Sequence, residues 1–219
     1  MEQQISEKFE NFFSDFKKFF FKKGETILRA DDEPKGVLYL KKGYVKLYSL
    51  SKDAQELTLI IFKAKNIFPL MWAINSTPNA YYLEAMTAVE LYRAPREKFL
   101  NFIKNNSDVL FELTGRILTR FGEALNRMEY AIFGHARSKV ASIILICAER
   151  FGIKHKKGII IQVPLTHQDI ASLIGVARET VSIEMEQLGG KGLIRRQGKY
   201  LVIKDIQKLK RECVLESTI

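Results

Sequence analysis

The stretch LTHQDIASLIGVARETVSIEMEQLGGKGLI, from Leu165 to Ile194, decides the fold of the last third of the chain. It predicts a first helix over HQDIASLI, which Thr166 opens with Asp169 three residues later, the pattern of a capping box. Gly175 ends that helix, and a second helix over ARETVSIEMEQL runs to a break at Gly189–Gly190. Two short helices joined by a tight glycine turn are therefore expected here.

A basic hairpin is predicted directly after the second helix. The run GLIRRQGKYLVI carries apolar and basic residues on both sides of Gly198, which places a turn at that glycine. Helix, turn, helix and hairpin in this order is the layout of a winged helix-turn-helix, whose second helix enters the DNA major groove by its N-terminal end. Ordinary pairs of helices also produce the helical part of this pattern.

The N-terminal end of the second helix presents Arg178 and Glu179. Arg can donate two hydrogen bonds to guanine O6 and N7, and Glu can accept one from cytosine N4, so this pair can read a G·C base pair. Further side chains stand on the same helix or where the DNA backbone would pass. The predicted DNA-binding residues are Thr166, His167, Gln168, Arg178, Glu179, Ser182, Ile183, Arg195, Arg196 and Lys199.

The net charge of +10 is unevenly distributed along the chain. Lys and Arg outnumber Asp and Glu by 20 to 17 over residues 1–134 and by 15 to 8 over residues 135–219. A basic small domain beside a nearly neutral larger one indicates a phosphate-backbone partner. The charge alone is equally compatible with an ordinary basic surface.

Residues 24–95 are typical of short β-strands. Apolar or alternating runs such as ETILRA, GVLYLKKG and ELTLIIF are separated by turn-prone segments such as DDEPKG and SKDAQ. Strands at this spacing predict an antiparallel barrel or sandwich. Val45 and Leu47 alternate with Lys46 and Tyr48, which predicts a strand with one buried face.

Helices are predicted on both sides of these strands. Residues 7–22 mix Phe and Lys in a short amphipathic helix, and Ser107 is the N-cap of a much longer one. The long helix has a broad apolar face, which we expect to pack partly on the strands and partly on a second subunit. A core helix in a monomer is the alternative. The predicted dimer seam is Leu118, Phe121, Leu125, Met128 and Ile132.

The chain resembles the CRP/FNR family of transcription regulators, named for the cyclic-AMP receptor protein. The Gln–Asp–Ile–Ala run, Gly175, the Arg–Glu–Thr–Val–Ser run and the Gly–Leu–Ile end of the stretch above match the family pattern in order and spacing. The segment KKGETILRADDEPKGVLYLKKGYVKLY is similar to the opening of the family's effector barrel, so the resemblance covers nearly the whole chain.

The resemblance implies an α+β fold in three parts. These are an antiparallel, cyclic-nucleotide-binding-like jelly-roll barrel in residues 1–106, a dimerisation helix in 107–134 and a winged helix-turn-helix domain in 135–219. It also implies a homodimer on a palindromic operator in double-stranded DNA, with RNA polymerase as a further partner.

Two residues depart from the family's recognition helix. Ile183 stands where the family often has a second Arg, and it can at most touch a thymine methyl group. Ala177 stands where the family commonly has a Ser that caps the helix, a difference of about 1 kcal/mol in helix stability. We expect the half-site to keep the G·C pair and to differ elsewhere.

The segment that would hold a cyclic nucleotide lacks the required groups. The family uses a Gly–Glu pair for the ribose and an Arg–Ser pair for the phosphate, whereas this chain has Pro69–Leu70 and no Arg in residues 79–82. A buried phosphate needs a cationic partner, so we expect cyclic AMP not to bind. With Cys147 and Cys213 as its two cysteines and every His after residue 134, the chain also offers the barrel no ligands for an iron–sulfur cluster or haem.

A different small-molecule effector, uncharged or aromatic, could occupy an apolar pocket in the barrel. A filled core without a ligand carries equal weight, and no cofactor is predicted. The predicted pocket residues are Phe68, Met71, Trp72, Tyr81, Tyr82 and Leu125.

Other classes of protein fit less well. A metal-dependent cupin enzyme would need several His ligands, which residues 1–134 lack. A cyclic-nucleotide-binding-like interaction module without DNA binding would have no use for the ARETVS helix and the basic hairpin. We expect no catalysis and no metal site. Because no run of 18 apolar residues and no secretory signal occurs, we also expect a cytoplasmic protein without membrane contact.

Overall fold

The computed structural model describes residues 2–156 and 158–213 of the chain. The first part consists of α1 (Glu2–Ser14), β1 (Lys18–Phe21), β2 (Thr26–Leu28), β3 (Val37–Lys42), β4 (Val45–Leu50), β5 (Glu56–Phe62), β6 (Ile67–Phe68), α2 (Leu70–Asn75), β7 (Tyr82–Ala85), β8 (Val89–Ala94), α3 (Arg96–Asn105) and α4 (Ser107–Phe133). The chain divides into two compact units after Phe121, within α4.

Two antiparallel four-stranded sheets form the centre of the first unit. Sheet A has the order β1-β8-β3-β6 and sheet B the order β2-β7-β4-β5. Their facing sides share one buried apolar cluster, to which sheet A contributes Leu40 and Leu91 and sheet B contributes Val45 and Leu83. The predicted α+β class with an antiparallel jelly roll is confirmed, with the strands in two sheets rather than one closed barrel.

Helices cover the outer face of sheet A. Phe9 and Phe13 of α1, Phe99 of α3, and Val109 and Leu113 of α4 pack in a second buried cluster on that face. The predicted long helix, opening at Ser107, is therefore confirmed, and its first turns belong to the core of the first unit.

The predicted helix over residues 7–22 is wrong beyond Ser14. Lys18–Phe21 form strand β1 instead, in which Phe19 pairs with Leu91 and Phe21 with Val89. Alternate Phe side chains suit an edge strand that turns one face toward a core. The pairing partner, β8, lies about 70 residues further along the chain, so the local periodicity of the sequence does not reveal it. Helix α2 within the predicted strand region was also not expected.

Strand β4 lies where the sequence predicts it, but the prediction that only one of its faces is buried is wrong. Lys46 and Tyr48 are both buried. The Lys46 Nζ lies 2.7 Å from Glu56 Oε2 and 3.5 Å from Glu84 Oε1 on the two neighbouring strands. A lysine can be buried at this position because two carboxylates compensate its charge.

The second unit contains the end of α4 followed by α5 (Ala136–Phe151), β9 (Gly152–His155), β10 (Gly158–Ile161), α6 (His167–Ile174), α7 (Arg178–Gly190), β11 (Ile194–Gln197), β12 (Tyr200–Ile203) and α8 (Ile206–Arg211). The four strands form an antiparallel sheet of order β11-β12-β10-β9. The predicted helix break at Gly189–Gly190 is wrong by two residues, because α7 includes both glycines and its C-cap is Lys191. No helix in the described ranges is long and apolar enough to span a lipid bilayer.

Candidate nucleic-acid interface

Helix α6 begins and ends as the sequence predicts. The Thr166 side chain accepts a hydrogen bond from the Asp169 backbone N–H (3.1 Å), and the Asp169 carboxylate accepts one from the Thr166 N–H (2.7 Å). The helix ends at Gly175, whose φ of 66° lies in the left-handed region that glycine enters without strain. These two local signals fix where the chain turns from α6 to α7.

Buried side chains hold α6 and α7 together. Ile170 and Ala171 of α6 and Val181 and Leu188 of α7 are at most 1% exposed. This packing leaves the opposite face of α7 free for another molecule. Arg178, Glu179 and Ile183 on that face are exposed, and Ser182 is half-buried. Ile183 is 56% exposed, so α7 presents an apolar side chain to solvent on this face.

His167 connects the two helices. Its Nδ1 lies 2.8 Å from the Ser182 Oγ, so the first residue of α6 contacts the middle of α7. Burial, and after it the charges of Arg196 and Arg178, lower the pKa of the imidazole below its ordinary value. Two of the predicted DNA-binding residues, Arg196 and Arg178, therefore influence the protonation of a third, His167, in the free protein.

The hairpin β11–β12 carries the predicted basic side chains. Arg195, Arg196 and Lys199 are all exposed, and Gly198 has a φ of 59° in the two-residue turn. The Arg196 Nη2 donates to the Leu165 carbonyl oxygen at 2.8 Å, which ties the hairpin to the residues that precede α6. Thr166 and Gln168 are exposed at that same end of α6. The structure thus brings all ten predicted DNA-binding residues onto one helix pair and its adjoining hairpin.

Two arginines that sequence reasoning missed fix the position of these helices. The Arg137 Nε on α5 donates to Glu184 Oε2 at 3.0 Å, and its Nη2 contacts the Gln187 side chain, both on α7. The Arg127 Nη2 on α4 donates to the Leu173 carbonyl at the end of α6, at 2.7 Å. These partners are 46 to 50 residues apart in the chain, so no local pattern signals them.

The predicted dimer seam is an exposed apolar stripe on α4. Its five residues, Leu118, Phe121, Leu125, Met128 and Ile132, are between 45% and 72% exposed. Phe111, one heptad before Leu118, continues the stripe and is 83% exposed. Sequence reasoning did not include Phe111, although its spacing of seven residues was the available signal.

The six predicted effector-pocket residues do not share one cavity. Phe68 is buried between the sheets, with its ring 4.5 Å from that of Phe62. Trp72 packs in the cluster under α1 and α3, and Tyr82 stacks on Tyr48 at 5.2 Å. The remaining three are Met71, exposed on α2, Tyr81, half-buried just before β7, and Leu125, exposed on α4 in the second unit.

Comparison with known families matches both units. The sequence profile of the family described as "Cyclic nucleotide-binding domain" matches residues 18–106, and that described as "Crp-like helix-turn-helix domain" matches residues 138–212. Together with the interface geometry, these matches define a transcription regulator with a DNA-binding helix-turn-helix. The chain belongs to the CRP/FNR family, whose members are regulators and not enzymes, so the expectation of no catalysis is confirmed.

Characterised relatives span nearly the whole chain. The global nitrogen regulator of Nostoc sp. is 27% identical over 194 residues, 88% of this chain and 87% of that protein. The "CRP-like cAMP-activated global transcriptional regulator" of Mycobacterium tuberculosis is 27% identical over 192 residues, 87% of this chain and 85% of that protein.

Solved structures share the fold at lower identity. FixK2 from Bradyrhizobium japonicum has a TM-score of 0.79 at 20% identity and covers 92% of this chain and 99% of its own. A mutant of CooA from Carboxydothermus hydrogenoformans has a TM-score of 0.77 at 23% identity and covers 92% of this chain and 89% of its own.

Proposed function

We propose that this regulator binds a palindromic DNA operator as a homodimer and responds to an effector other than cyclic AMP. The observation that carries the DNA part is the exposed face of α7, where Arg178, Glu179 and Ser182 stand beside the basic hairpin. In this arrangement Arg178 and Glu179 read one G·C pair, and Ile183 contacts a thymine methyl group. The side chains of Arg195 and Lys199 contact phosphates and set the position of α7 in the groove.

The exposed stripe on α4 supports the homodimer. A row of large apolar side chains at heptad spacing is what a two-stranded helical seam requires, and exposed apolar patches of this kind mark interaction sites. A two-fold seam places two α7 helices on one face of the DNA, so the operator half-sites should be about one helical turn apart. RNA polymerase is a further proposed partner, since the family consists of transcription regulators.

A gel-shift experiment with fragments of the source genome tests DNA binding. We expect discrete shifts with a subset of the fragments, and these shifts should persist in an excess of unrelated competitor DNA. An interaction module without DNA binding, the alternative function, would shift no fragment. If unrelated competitor DNA removes the shifts of all fragments equally, recognition is not sequence-specific. The shifts would then come only from the basic charge of the second unit.

The effector part of the proposal rests on groups that the cyclic-nucleotide segment lacks. Pro69 has no backbone N–H to donate, and Leu70 offers no acceptor to a ribose hydroxyl. The Asn79 amide donates to the carbonyl oxygens of Arg29 (2.7 Å) and Tyr81 (2.9 Å), so it serves the loop rather than a ligand. Residues 79–82 contain no cation. The Mycobacterium relative is named as cAMP-activated, whereas residues 69–70 and 79–82 of this chain lack the groups that the family resemblance implies for holding a cyclic nucleotide.

Titration calorimetry with cyclic AMP and cyclic GMP measures this difference. Loss of a charged anchor reduces affinity by about 2–5 kcal/mol, so we predict no binding at micromolar concentrations and no change in DNA affinity. Micromolar binding of either nucleotide would contradict the assignment of the phosphate-binding segment.

A further inference from the structure

A cavity of about 570 Å³ lies in the first unit, at one end of the space between sheets A and B. Phe21 of β1, Leu28 of β2, Leu38 of β3 and Pro69 contribute its apolar wall. All four are partly buried or border the apolar cluster between the sheets. The volume lies within the range of about 300–1,000 Å³ that small-molecule sites occupy. It contains none of the six residues predicted from the sequence.

A half-buried arginine points into this cavity from the inner face of sheet A. Val89 and Leu91 of β8 belong to the cluster between the sheets, and alternation along the strand places Arg93 on the same face. Arg93 lines the cavity, and its guanidinium carbon lies 4.1 Å from the centroid of the Phe19 ring. An inward-facing charge is unusual at a position where the pattern of the strand calls for an apolar side chain.

The loop after β2 is built closely around Arg93. Gly36 has a φ of 148°, and a Cβ at this position would lie 2.9 Å from Arg93 Cγ and 2.5 Å from the Ala94 carbonyl oxygen. Only glycine allows this approach. The loop is further held by Asn79, whose side chain donates to the Arg29 carbonyl oxygen at 2.7 Å and whose carbonyl accepts from the Asp31 N–H at 2.8 Å. The wall of the cavity is thus fixed before any ligand enters.

Three cations and two carboxylates border the cavity, an excess of one positive charge. Arg29 and Lys35 line it from the exposed side and Arg93 from the half-buried side, and none of the three forms an ion pair with a carboxylate among residues 2–156 and 158–213. Asp32 and Glu33 lie on the same wall without pairing to them. The guanidinium of half-buried Arg93 has five N–H donors, and a carboxylate or phosphate is the partner that satisfies such donors best.

We propose that this cavity binds an organic anion with an apolar body, rather than the uncharged or aromatic molecule expected from the sequence, and that such an anion is the effector of this regulator. The carboxylate or phosphate group pairs with Arg93, while the apolar body lies against Phe21, Leu28 and Leu38. The effector role rests on the proposed function, whereas the binding itself does not. Ligand binding is therefore measured without DNA, so that failure of the site and failure of DNA recognition are separate results.

Calorimetric titration of the full chain with three ligands of one chain length tests the site. Octanoate and octyl phosphate carry the anion, and octan-1-ol has the same apolar body without charge. One or both anions should bind with a stoichiometry of one ligand per protein chain. The affinity should be at least about tenfold higher than that of octan-1-ol. The preferred anion distinguishes a carboxylate from a phosphate ligand. Equal affinities for all three, or no binding of any at millimolar concentration, would overturn the proposal.

Two variants separate the cavity from the rest of the surface. Arg93→Gln should weaken the preferred anion at least about tenfold and leave octan-1-ol unchanged, and Arg93→Lys should recover part of the loss. Lys98→Gln is the matched control, because it removes one positive charge from α3 in the same unit, outside the cavity, at a lysine whose Nζ is 5.7 Å from the Phe16 ring. Unfolding curves show whether each variant is folded. Wild-type anion affinity in folded Arg93→Gln would refute the role of Arg93.

Discussion

His167 lies close to Arg178 and Arg196, two of the predicted DNA-binding residues. Burial, Arg196 and Arg178 lower the pKa of its imidazole in the free protein. DNA phosphates offset the positive field of these arginines, so the pKa of His167 should rise when DNA binds. Binding then takes up a proton, and DNA affinity is highest below the pKa of the free protein and decreases as pH rises through the pKa of the complex.

Fluorescence anisotropy at constant ionic strength measures this dependence between about pH 5.5 and pH 8. For one proton, affinity should change by at most about tenfold per pH unit. His167→Gln keeps a polar contact to Ser182 and removes the titrating group, so its affinity should vary less with pH. Identical pH profiles for the two proteins would assign the effect to another group.

Ala177 leaves the first turn of α7 without a side-chain cap. Its backbone is extended (φ −68°, ψ 147°), the conformation of an N-cap, and no side-chain hydrogen bond is formed there. Ala177→Ser supplies an acceptor for a free N–H of this turn and should raise the free energy of unfolding by about 1 kcal/mol. Denaturant unfolding checks this, with Ala177→Val as the control that adds a side chain without an acceptor. Equal stabilisation by both substitutions would exclude capping as the cause.

Single residues were predictable where their partners are close in the chain. Thr166 and Asp169 form the expected capping box, and Gly175 adopts the expected left-handed conformation. Lys46 and Arg137 were not predictable, because the carboxylates that pair with them lie on other strands and helices. The polar side of a strand or helix can be buried whenever such a distant partner exists.

Helix α4 is the element on which the proposed homodimer depends. Leu125 is 45% and Met128 is 60% exposed, and both belong to the seam. The double substitution Leu125→Glu/Met128→Glu would place like charges against their symmetry mates in an apolar contact. Sedimentation equilibrium should give twice the 25.2 kDa chain mass for the wild type and a single chain for the variant.

Thr119→Glu/Asn126→Glu is the matched control for that experiment. Both positions are exposed on α4 one residue beyond the seam positions Leu118 and Leu125, so the same two charges are added to the same helix outside the contact. This control should remain a dimer. A stable dimer of Leu125→Glu/Met128→Glu would show that the subunits meet elsewhere.

Elements were predictable when their apolar pattern is long or their ends are marked. The heptad spacing in α4 and the capping box and left-handed glycine that bound α6 are of this kind. Strand β1 has four residues, and its pairing with β8 is what makes it a strand. The cavity at Arg93 arises from β1, β2, β3 and β8 together, so no single segment of sequence indicates it.

The whole molecule combines an effector-type unit with a small basic DNA-binding unit. Residues 135–219 carry 15 Lys and Arg against 8 Asp and Glu, an excess of 7 positive charges. In the proposed complex this charge supplies general attraction to DNA, while a few side chains on α7 supply the sequence preference. We therefore expect α7 to read a specific base pair in each half of a symmetric site.

Selection of binding sites from a library of random duplex DNA measures this base preference and the symmetry of the site together. The wild type should enrich an inverted repeat with half-sites about one helical turn apart and one invariant G·C pair in each half. Arg178→Ala should relax the preference at that pair by about 1–3 kcal/mol, while Lys199→Ala should weaken all sequences alike. Two results would contradict this recognition by α7. One is that the wild type enriches no inverted repeat, and the other is that Arg178→Ala prefers the same G·C pair as strongly as the wild type does.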